Sequence, residues 1–404
     1  MIELADVEAA RARLRGAVHE TPCAYSQTLS ELTGTRCHVK LENLQMTGSF
    51  KERGAANLLL QLPAAERARG VIAASAGNHG LAVAFHAARL AVPAVIVMPE
   101  WAPLIKVSSA RRHGAEVVLW GANFDEACER ALALAAGRGL TFVHPFDDPR
   151  VVAGQGTLGL ELLEQMPDLD AVVMAVGGGG LAGGVALAVK AHRPGVRVIG
   201  VQAAALAAMR EGLRSGERVR VPAAATIADG IAVRQVGELG LALARKYVDE
   251  VVAVGEEELA NAVLVLLEVE KTVAEGAGAA PLAALLNRPL DLAGRQVALV
   301  VSGGNIDVTM LSRIIERGMV KDGRLVRLGV LLRDRPGALA GLTAIIAEER
   351  ANIVHILHDR AFSRRASIGE TQVELTLETS GRAEIESLKA RLVAAGYRVE
   401  ERSE

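Results

Sequence analysis

The sequence predicts an α/β protein with a second, smaller domain at its C-terminal end. Short apolar runs, rich in β-branched residues, alternate with Ala- and Leu-rich helical stretches over residues 65–305. The runs lack the polar alternation of a half-exposed strand, which indicates strands covered on both faces and therefore a parallel sheet between helices. Beyond residue 325 the strands and helices follow a different order, which indicates a separate fold.

Six apolar runs are predicted as the buried strands of this parallel arrangement. Each of them holds at least two valine or isoleucine residues, the types that favour strands. The stretches between them are long enough to cross back over a sheet as helices. The predicted strands are 71–74, 94–98, 116–119, 171–176, 196–201 and 297–301.

The C-terminal part has the element order of a ferredoxin-like unit. Residues 319–325 are polar and punctuated by glycine, and we expect them to link a first domain, 1–318, to a second, 326–404. The order βαββαβ within about 80 residues is typical of this unit. Its predicted elements are strand 325–332, helix 337–350, strands 352–360 and 371–378, helix 382–395 and strand 397–401.

The composition excludes several classes of protein. The net charge of −2 and the pI near 6.5 give no basic excess for nucleic acid or a membrane surface. Cys23, Cys37 and Cys128 are too few and too widely spaced for a disulfide framework or a thiolate metal site. No signal peptide and no apolar run of about 18 residues is present, so we expect a cytoplasmic protein without a metal.

Lys51 stands where a charged side chain is unfavourable. Ser49 and Glu52 have the spacing of a capping box ahead of a helix-forming run at 55–60, which predicts Lys51 in the first helical turn. Exposed N–H groups and the helix dipole repel a cation there. A covalent Schiff base would relieve this conflict, whereas a surface lysine turned outward would tolerate it.

Three predicted strands end in glycine-rich turns that we expect to lead into helices. Ligands of open parallel sheets bind beyond the carboxyl ends of the strands. Free N–H groups at helix starts bind anions, and glycine allows the anion to come close. The three turns are 75–80, 177–184 and 302–305.

The tetraglycine run 177–180 is the best candidate for a phosphate-binding loop. Gly178, Gly180 and Gly183 also match a dinucleotide-binding fingerprint, but the acidic residue that such a site requires is missing from residues 201–205. An NAD-dependent enzyme is therefore a weaker alternative. Tight helix–sheet packing would account for one or two of the four glycines. One lysine, one phosphate loop and a short polar residue after the last strand together suggest pyridoxal phosphate.

Over residues 15–315 the chain resembles the fold-type II family of pyridoxal-phosphate enzymes, with two parallel-sheet subdomains, the smaller at about 46–150. Within that family it resembles the threonine dehydratases most closely. Five motifs occur in the family's order: 44–55, 75–80, 177–180, 274–278 and 302–305.

The resemblance assigns roles to individual residues. It implies that Lys51 forms the covalent link to the cofactor and then moves the α-proton of the substrate. Ser302 would face the pyridine nitrogen, and Glu275 would lie near the cofactor without handling protons directly. The implied cofactor-binding residues are Lys51, Phe50, Asn78, Gly177, Gly178, Gly179, Gly180 and Ser302, and the implied substrate-binding residues are Ser75, Ala76, Gly77, Asn78 and His79.

The resemblance also implies a reaction. A serine beside the ring nitrogen favours elimination of the substrate's β-hydroxyl over transamination, which gives 2-oxobutanoate from L-threonine or pyruvate from L-serine. Serine racemases of the eukaryotic type carry a serine where this chain has Ala76, so a serine racemase or serine dehydratase is the alternative within the family. Asp229 matches a region that lies near a cation in some relatives, but one carboxylate does not make a site.

The C-terminal domain resembles an ACT domain, which binds amino acids as effectors. The matching turn contains Asp334, Gly337 and Ala338, and the resemblance implies an effector such as isoleucine or valine. It also implies a homodimer or homotetramer. Two other interpretations stay open: an unused turn in a dimerisation module, and a non-catalytic regulatory protein that binds an amino acid.

Overall fold

The computed structural model describes residues 2–359 and 367–402, which form two compact units, residues 1–306 and 307–404. It confirms the predicted α/β class, with two largely parallel sheets followed by an antiparallel C-terminal sheet. Among the described residues no helix is long and apolar enough to cross a membrane.

Strands and helices alternate through most of both units. The strands are β1 (Cys23–Tyr25), β2 (Arg36–Leu41), β3 (Val71–Ala74), β4 (Ala94–Met98), β5 (Glu116–Leu119), β6 (Thr141–Phe142), β7 (Ala171–Ala175), β8 (Arg197–Ala203), β9 (Glu250–Val254), β10 (Gln296–Val301), β11 (Leu325–Arg333), β12 (Asn352–Asp359), β13 (Glu370–Glu378) and β14 (Arg398–Glu401). The helices are α1 (Leu4–Leu14), α2 (Gln27–Thr33), α3 (Lys51–Leu60), α4 (Ala64–Arg69), α5 (Asn78–Arg89), α6 (Leu104–Arg112), α7 (Phe124–Arg138), α8 (Pro149–Gln165), α9 (Gly180–His192), α10 (Ala208–Ser215), α11 (Glu238–Tyr247), α12 (Glu256–Val269), α13 (Gly276–Asn287), α14 (Val308–Lys321), α15 (Ala338–Glu348) and α16 (Arg382–Ala394).

The larger sheet of the first unit has six strands in the order β1-β2-β10-β7-β8-β9. All neighbours are parallel except β1, which runs antiparallel to β2. Strand β10 comes last in the chain but lies between β2 and β7, where Leu299 pairs with Val39 on one side and Val173 on the other. The two central strands are apolar and buried over 171–175 in β7 and 297–301 in β10, as their uninterrupted sequences predict.

The smaller sheet has four parallel strands in the order β5-β4-β3-β6, built from residues 71–142. Its glycine-rich exit is the turn after β3, and the larger sheet contributes the turns after β7 and β10. The carboxyl ends of these three strands therefore supply all three turns singled out in the sequence.

All six predicted strands of the first unit are present, and four further strands were missed. Strand β6 has only two residues, β1 has three, and β9 lies at the edge of its sheet. Strand β2 contains Lys40, which is fully buried although a lysine in the sequence indicates an exposed position. Strands β1, β2 and β6 lack an apolar run of four residues, whereas β9 contains one at 251–254 that the prediction overlooked.

The second unit contains the predicted βαββαβ order, with a four-stranded antiparallel sheet arranged β12-β13-β11-β14. Helices α15 and α16 pack on the sheet through a core of leucine, isoleucine and valine side chains. Helix α14 precedes the sheet and extends to Lys321, so it includes the first residues of the stretch 319–325.

Candidate active site

Lys51 lies in the first turn of α3, as predicted, but the predicted capping box is wrong. Ser49 pairs with Gly303 in an isolated antiparallel bridge, and its hydroxyl is buried without a hydrogen-bond partner among the described residues. The Glu52 carboxylate accepts a hydrogen bond from the backbone N–H of Thr47. Because the backbone bridge holds Ser49 in place, the residue joins two segments of the site instead of capping the helix.

The amine of Lys51 lies in an environment that favours its neutral form. Its Nζ donates a hydrogen bond to the carbonyl oxygen of Pro145 at 2.8 Å and lies 5.1 Å from the centre of the Phe50 ring. Burial lowers the pKa of Lys51 from 10.5 to about 8, although the negative charge of Glu275 opposes the shift. An amine with such a pKa serves as a nucleophile and as a base near neutral pH.

The turn after β10 brings the first two motifs together. The side-chain amide of Asn305 donates to the carbonyl of Thr47 at 2.7 Å and to Oδ1 of Asn78 at 2.8 Å. The backbone N–H of Gly304 donates to the carbonyl of Gly48 at 2.9 Å. Gly48 has a φ of +77°, and a Cβ there would lie 2.7 Å from the Asn305 amide oxygen. Glycine is therefore required at position 48.

Glu275 lies buried beside Asn78. Its Oε1 accepts a hydrogen bond from Nδ2 of Asn78 at 2.8 Å, and its backbone N–H donates to the carbonyl of Gly303 at 3.1 Å. Burial, reinforced by the charge of Asp229, raises the pKa of Glu275 to about 7. Asp229 forms an ion pair with Lys106 at 3.1 Å. Residues 2–359 and 367–402 contain no cluster of three or more potential metal ligands.

The tetraglycine loop leads from β7 into α9, with Gly179 in the left-handed region at φ +101°. A Cβ on Gly178 would lie 2.3 Å from the ring of Phe146, and one on Gly180 would lie 2.7 Å from the carbonyl oxygen of Phe146. A Cβ on Gly179 would lie 2.8 Å from the Cα of Gly240. Packing therefore explains at least three of the four glycines, and the expectation that it explains only one or two is wrong.

The case for an anion site depends on the N–H groups of the loop. Within the described part of the chain, no residue accepts a hydrogen bond from the backbone N–H groups of residues 178–181. These groups lie at the N-terminal end of α9, where the helix dipole also favours negative charge. The loop therefore fits a phosphate group.

The turn after β3 offers a second, smaller set of N–H groups. The N–H of Ser75 donates to Val97, and the N–H of Gly77 donates to Oγ of Ser75 at 3.1 Å. The N–H groups of Ala76, Asn78 and His79 have no such acceptor among the described residues. A carboxylate at the start of α5 would therefore be held by these three N–H groups and not by all the N–H groups of residues 75–79.

His79 supports this turn as a neutral side chain. It is buried, and its Nε2 lies 2.8 Å from the carbonyl oxygen of Val143. Burial, with the charge of Lys51 acting in the same direction, lowers the pKa of His79 to about 3. The proton therefore resides on Nε2. Ser302 is buried immediately after β10, and its carbonyl oxygen accepts a hydrogen bond from the N–H of Phe50 at 3.0 Å.

Sequence reasoning missed the part that residues 143–147 play. Val143 contacts His79, Pro145 contacts Lys51, and Phe146 covers the tetraglycine loop. The available signal was the run His-Pro-Phe-Asp-Asp-Pro at 144–149, whose two prolines and paired aspartates indicate a defined turn ahead of a helix. It was not recognised because the preceding strand, β6, is too short to be predicted.

A buried ionic cluster anchors α3 two residues beyond Lys51. Arg53 forms a bidentate pair with Glu42, both bonds being 2.7 Å, and also bonds Glu161. Lys40 donates to Glu161 at 2.7 Å. Burial opposes ionisation of Glu42, but the charge and hydrogen bonds of Arg53 outweigh it and lower its pKa. The cluster fixes α3 to β2, to the segment after it and to α8.

Comparison with known proteins agrees with this geometry. Residues 14–303 match the family described as pyridoxal-phosphate dependent enzyme, and residues 326–392 match the ACT domain. The L-threonine ammonia-lyase of Thermotoga maritima is 51% identical over 399 residues, covering 99% of each chain. The structure of processed threonine deaminase isoform 2 from Solanum lycopersicum aligns with a TM-score of 0.75 and 37% identity, covering 78% of this chain and 87% of the other.

Maize serine racemase also has a similar structure, with a TM-score of 0.74 and 31% identity over 79% of this chain and 98% of the other. The racemase therefore shares the fold of the first unit. The full-length similarity to the Thermotoga enzyme includes the second unit as well. Lys51, the tetraglycine loop and these matches lead to one assignment: the chain belongs to the family of pyridoxal-phosphate dependent enzymes, with a C-terminal ACT domain.

Proposed function

We propose that the protein is a threonine ammonia-lyase that converts L-threonine to 2-oxobutanoate and ammonia, and L-serine to pyruvate and ammonia. The observation that carries the proposal is the Lys51 amine, which has a pKa of about 8 and lies among the motif turns. The full-length similarity to the L-threonine ammonia-lyase of Thermotoga maritima supports threonine as the substrate.

Each part of the site has a task in this reaction. Bound pyridoxal phosphate supplies an aldehyde that takes up amino groups and a ring that stabilises negative charge at the α-carbon. The free N–H groups of residues 178–181 would hold its phosphate, and those of Ala76, Asn78 and His79 the substrate carboxylate. Phe50 and Ser302 would flank the ring, and Asn78 would hydrogen-bond its oxygen substituent.

Lys51, with its amine free of the cofactor, would take up the α-proton of the bound substrate. Its amine is mostly neutral above pH 8 and can therefore act as the base. The α-proton and the β-hydroxyl would be lost in sum as one water molecule, and a second water would hydrolyse the released enamine to the oxoacid and ammonia. Ala76 offers no hydroxyl for the opposite face of the α-carbon, which favours elimination over racemisation.

The proposal is tested by incubating the purified holoenzyme with L-threonine and L-serine in parallel and measuring oxoacid and ammonia. We expect 2-oxobutanoate from threonine in equal amounts to ammonia. D-Serine formed from L-serine without ammonia would identify a racemase, and no reaction with either substrate would refute the proposal.

The pKa of Lys51 predicts a pH dependence for attachment of the cofactor. The neutral amine attacks the aldehyde, so the rate constant should rise by about tenfold per pH unit below pH 8 and level off above it. Stopped-flow absorbance after mixing apoprotein with pyridoxal phosphate measures this rate. A rate that keeps rising to pH 10 would indicate an ordinary lysine pKa.

A methyl group on the phosphate loop should damage the site. In Gly178→Ala the new Cβ would meet the Phe146 ring at 2.3 Å, so the loop must shift. We expect a stability loss of about 1–3 kcal/mol, typical of overpacking, and weaker binding of pyridoxal phosphate in equilibrium titration. Gly137→Ala is the matched control, because a Cβ there meets nothing within 4 Å in the exposed α7. Equal binding by both variants would contradict the prediction.

We propose that the ACT domain regulates the enzyme by binding an amino acid such as isoleucine or valine in a cytoplasmic homo-oligomer. Gly337 adopts φ +84° at the start of α15, in the turn that also holds Asp334 and Ala338. This left-handed conformation is readily accessible to glycine, which lets the chain turn directly into the helix. Isothermal titration with each amino acid, with Gly337→Val as the comparison, tests the proposal, which fails if neither amino acid binds the wild-type chain.

A further inference from the structure

Residues 144–147 form a turn, here named the 144–147 turn, that lies between the two halves of the proposed cofactor site. The turn follows β6 and precedes α8. The carbonyl of Pro145 accepts the hydrogen bond from Lys51 Nζ at 2.8 Å. Phe146, the next residue, lies against Gly178 and Gly180. One short segment therefore contacts both the reactive amine and the phosphate loop.

The imidazole of His144 holds this turn in shape. Its Nδ1 accepts hydrogen bonds from the backbone N–H of Asp147 at 2.8 Å and of Phe146 at 3.3 Å. An Nδ1 that accepts two N–H groups carries no proton. Burial lowers the pKa of His144, which maintains this unprotonated form near neutral pH. The ring also packs edge-on against Phe146, with the centroids 4.8 Å apart.

The far end of the turn is fixed to the same phosphate loop from a second direction. The Asp147 carboxylate accepts hydrogen bonds from the N–H groups of Glu238 and Leu239, each 2.9 Å long, at the start of α11. The preceding residue, Gly237, donates its N–H to the carbonyl of Gly178 at 2.9 Å. The position of the turn is thus tied to the loop through two contacts.

We propose that His144 is a positioning residue, whose Nδ1 shapes the 144–147 turn so that Pro145 holds the Lys51 amine at a set place relative to the phosphate loop. This inference rests on the proposed role of Lys51 and the loop in binding pyridoxal phosphate. When Lys51 is not bonded to the cofactor, the Pro145 carbonyl provides the acceptor that keeps the amine near the loop. Displacement of a reacting group by about 1 Å costs roughly 10²-fold in rate.

Two variants distinguish the contribution of the Nδ1 acceptor of His144 from that of its aromatic ring. His144→Asn keeps a side-chain acceptor that can reach the N–H groups two and three residues ahead, as in an Asx turn, but lacks the ring. His144→Phe keeps an aromatic ring against Phe146 but has no acceptor. His192→Phe, on an exposed histidine of α9, serves as the control for the substitution itself.

For each variant the rate of pyridoxal-phosphate attachment to the apoprotein, kcat and KM are measured, with thermal unfolding to show that the protein is folded. We expect attachment by His144→Phe to be slowed about tenfold or more, in line with two lost hydrogen bonds, and kcat to fall by roughly 10²-fold. His144→Asn should stay within about threefold of wild type, because it restores the acceptor. His144→Ala replaces the phenylalanine variant if that variant does not fold, with the same expectation.

Any other ranking overturns the inference. If His144→Phe matches wild type, the acceptor has no role, and if both variants are impaired equally, the residue acts through its packing alone. Failure of the wild-type apoprotein to take up pyridoxal phosphate would instead refute the proposed function. The two failures are therefore distinguishable in one set of measurements.

Discussion

Lys51→Ala is expected to lower kcat by at least about 10³-fold, because one side chain supplies both the covalent link and the base. The variant should also lack the cofactor absorbance that depends on a bond to the lysine amine. Both effects are measured on the purified protein, by oxoacid formation and by its visible spectrum. The low pKa and the contact with Pro145 single out this lysine in the described structure.

Lys246→Ala is the matched control, since Lys246 is exposed in the last turn of α11. We expect this variant to keep wild-type kcat and absorbance. If Lys51→Ala retains more than about a tenth of wild-type activity, Lys51 is not the base, since a positioned base contributes about 10²-fold or more.

Arg53→Met should give the largest loss of stability of any substitution considered. Arg53 is buried and pairs with Glu42 and Glu161, so its removal leaves buried carboxylates without their partner. Breaking a buried ion pair in this way costs about 3–5 kcal/mol. The measurement is the urea midpoint of the holoenzyme, with the change in kcat as a second readout because α3 carries Lys51.

The surface pair of Arg138 and Glu116, 2.9 Å apart and about half exposed, provides the comparison. Arg138→Met should cost no more than about 1 kcal/mol. Equal shifts in the two urea midpoints would show that the buried cluster does not anchor α3 as inferred. An Arg53→Met variant with unchanged stability and reduced kcat would show that the cluster positions Lys51 without stabilising the fold.

Much of the fold could be predicted because strands such as β4, β7 and β10 are apolar along nearly their whole length. The strands that were missed are short, lie at an edge, or contain a charge that is paired inside the protein, such as Lys40 with Glu161. A single sequence does not show that such a charge is buried, because its partner comes from a helix more than a hundred residues away. The same limit applies to Arg53.

Residues at the glycine-rich turns could be singled out from the sequence because backbone chemistry requires their type. Lys51 does lie in the first turn of its helix, although the capping box from which this was predicted is absent. Sequence reasoning could not find the contact of Pro145 with Lys51, because every residue type has a backbone carbonyl that could accept this hydrogen bond. The capping-box prediction was wrong because Ser49 pairs instead with Gly303, which is 254 residues away along the chain (303 − 49).

The central place of β10 has a consequence for biosynthesis. The ribosome makes this strand after all the others of the larger sheet, yet β10 fills the gap between β2 and β7 and delivers the turn that joins Thr47 to Asn78. Until residue 305 has left the exit tunnel, β2 and β7 lack the strand that pairs with both of them, and the cofactor site cannot close. Both strands lack this partner while residues 176–295 are made, about three tenths of the chain, and over that interval their open edges expose the nascent chain to aggregation.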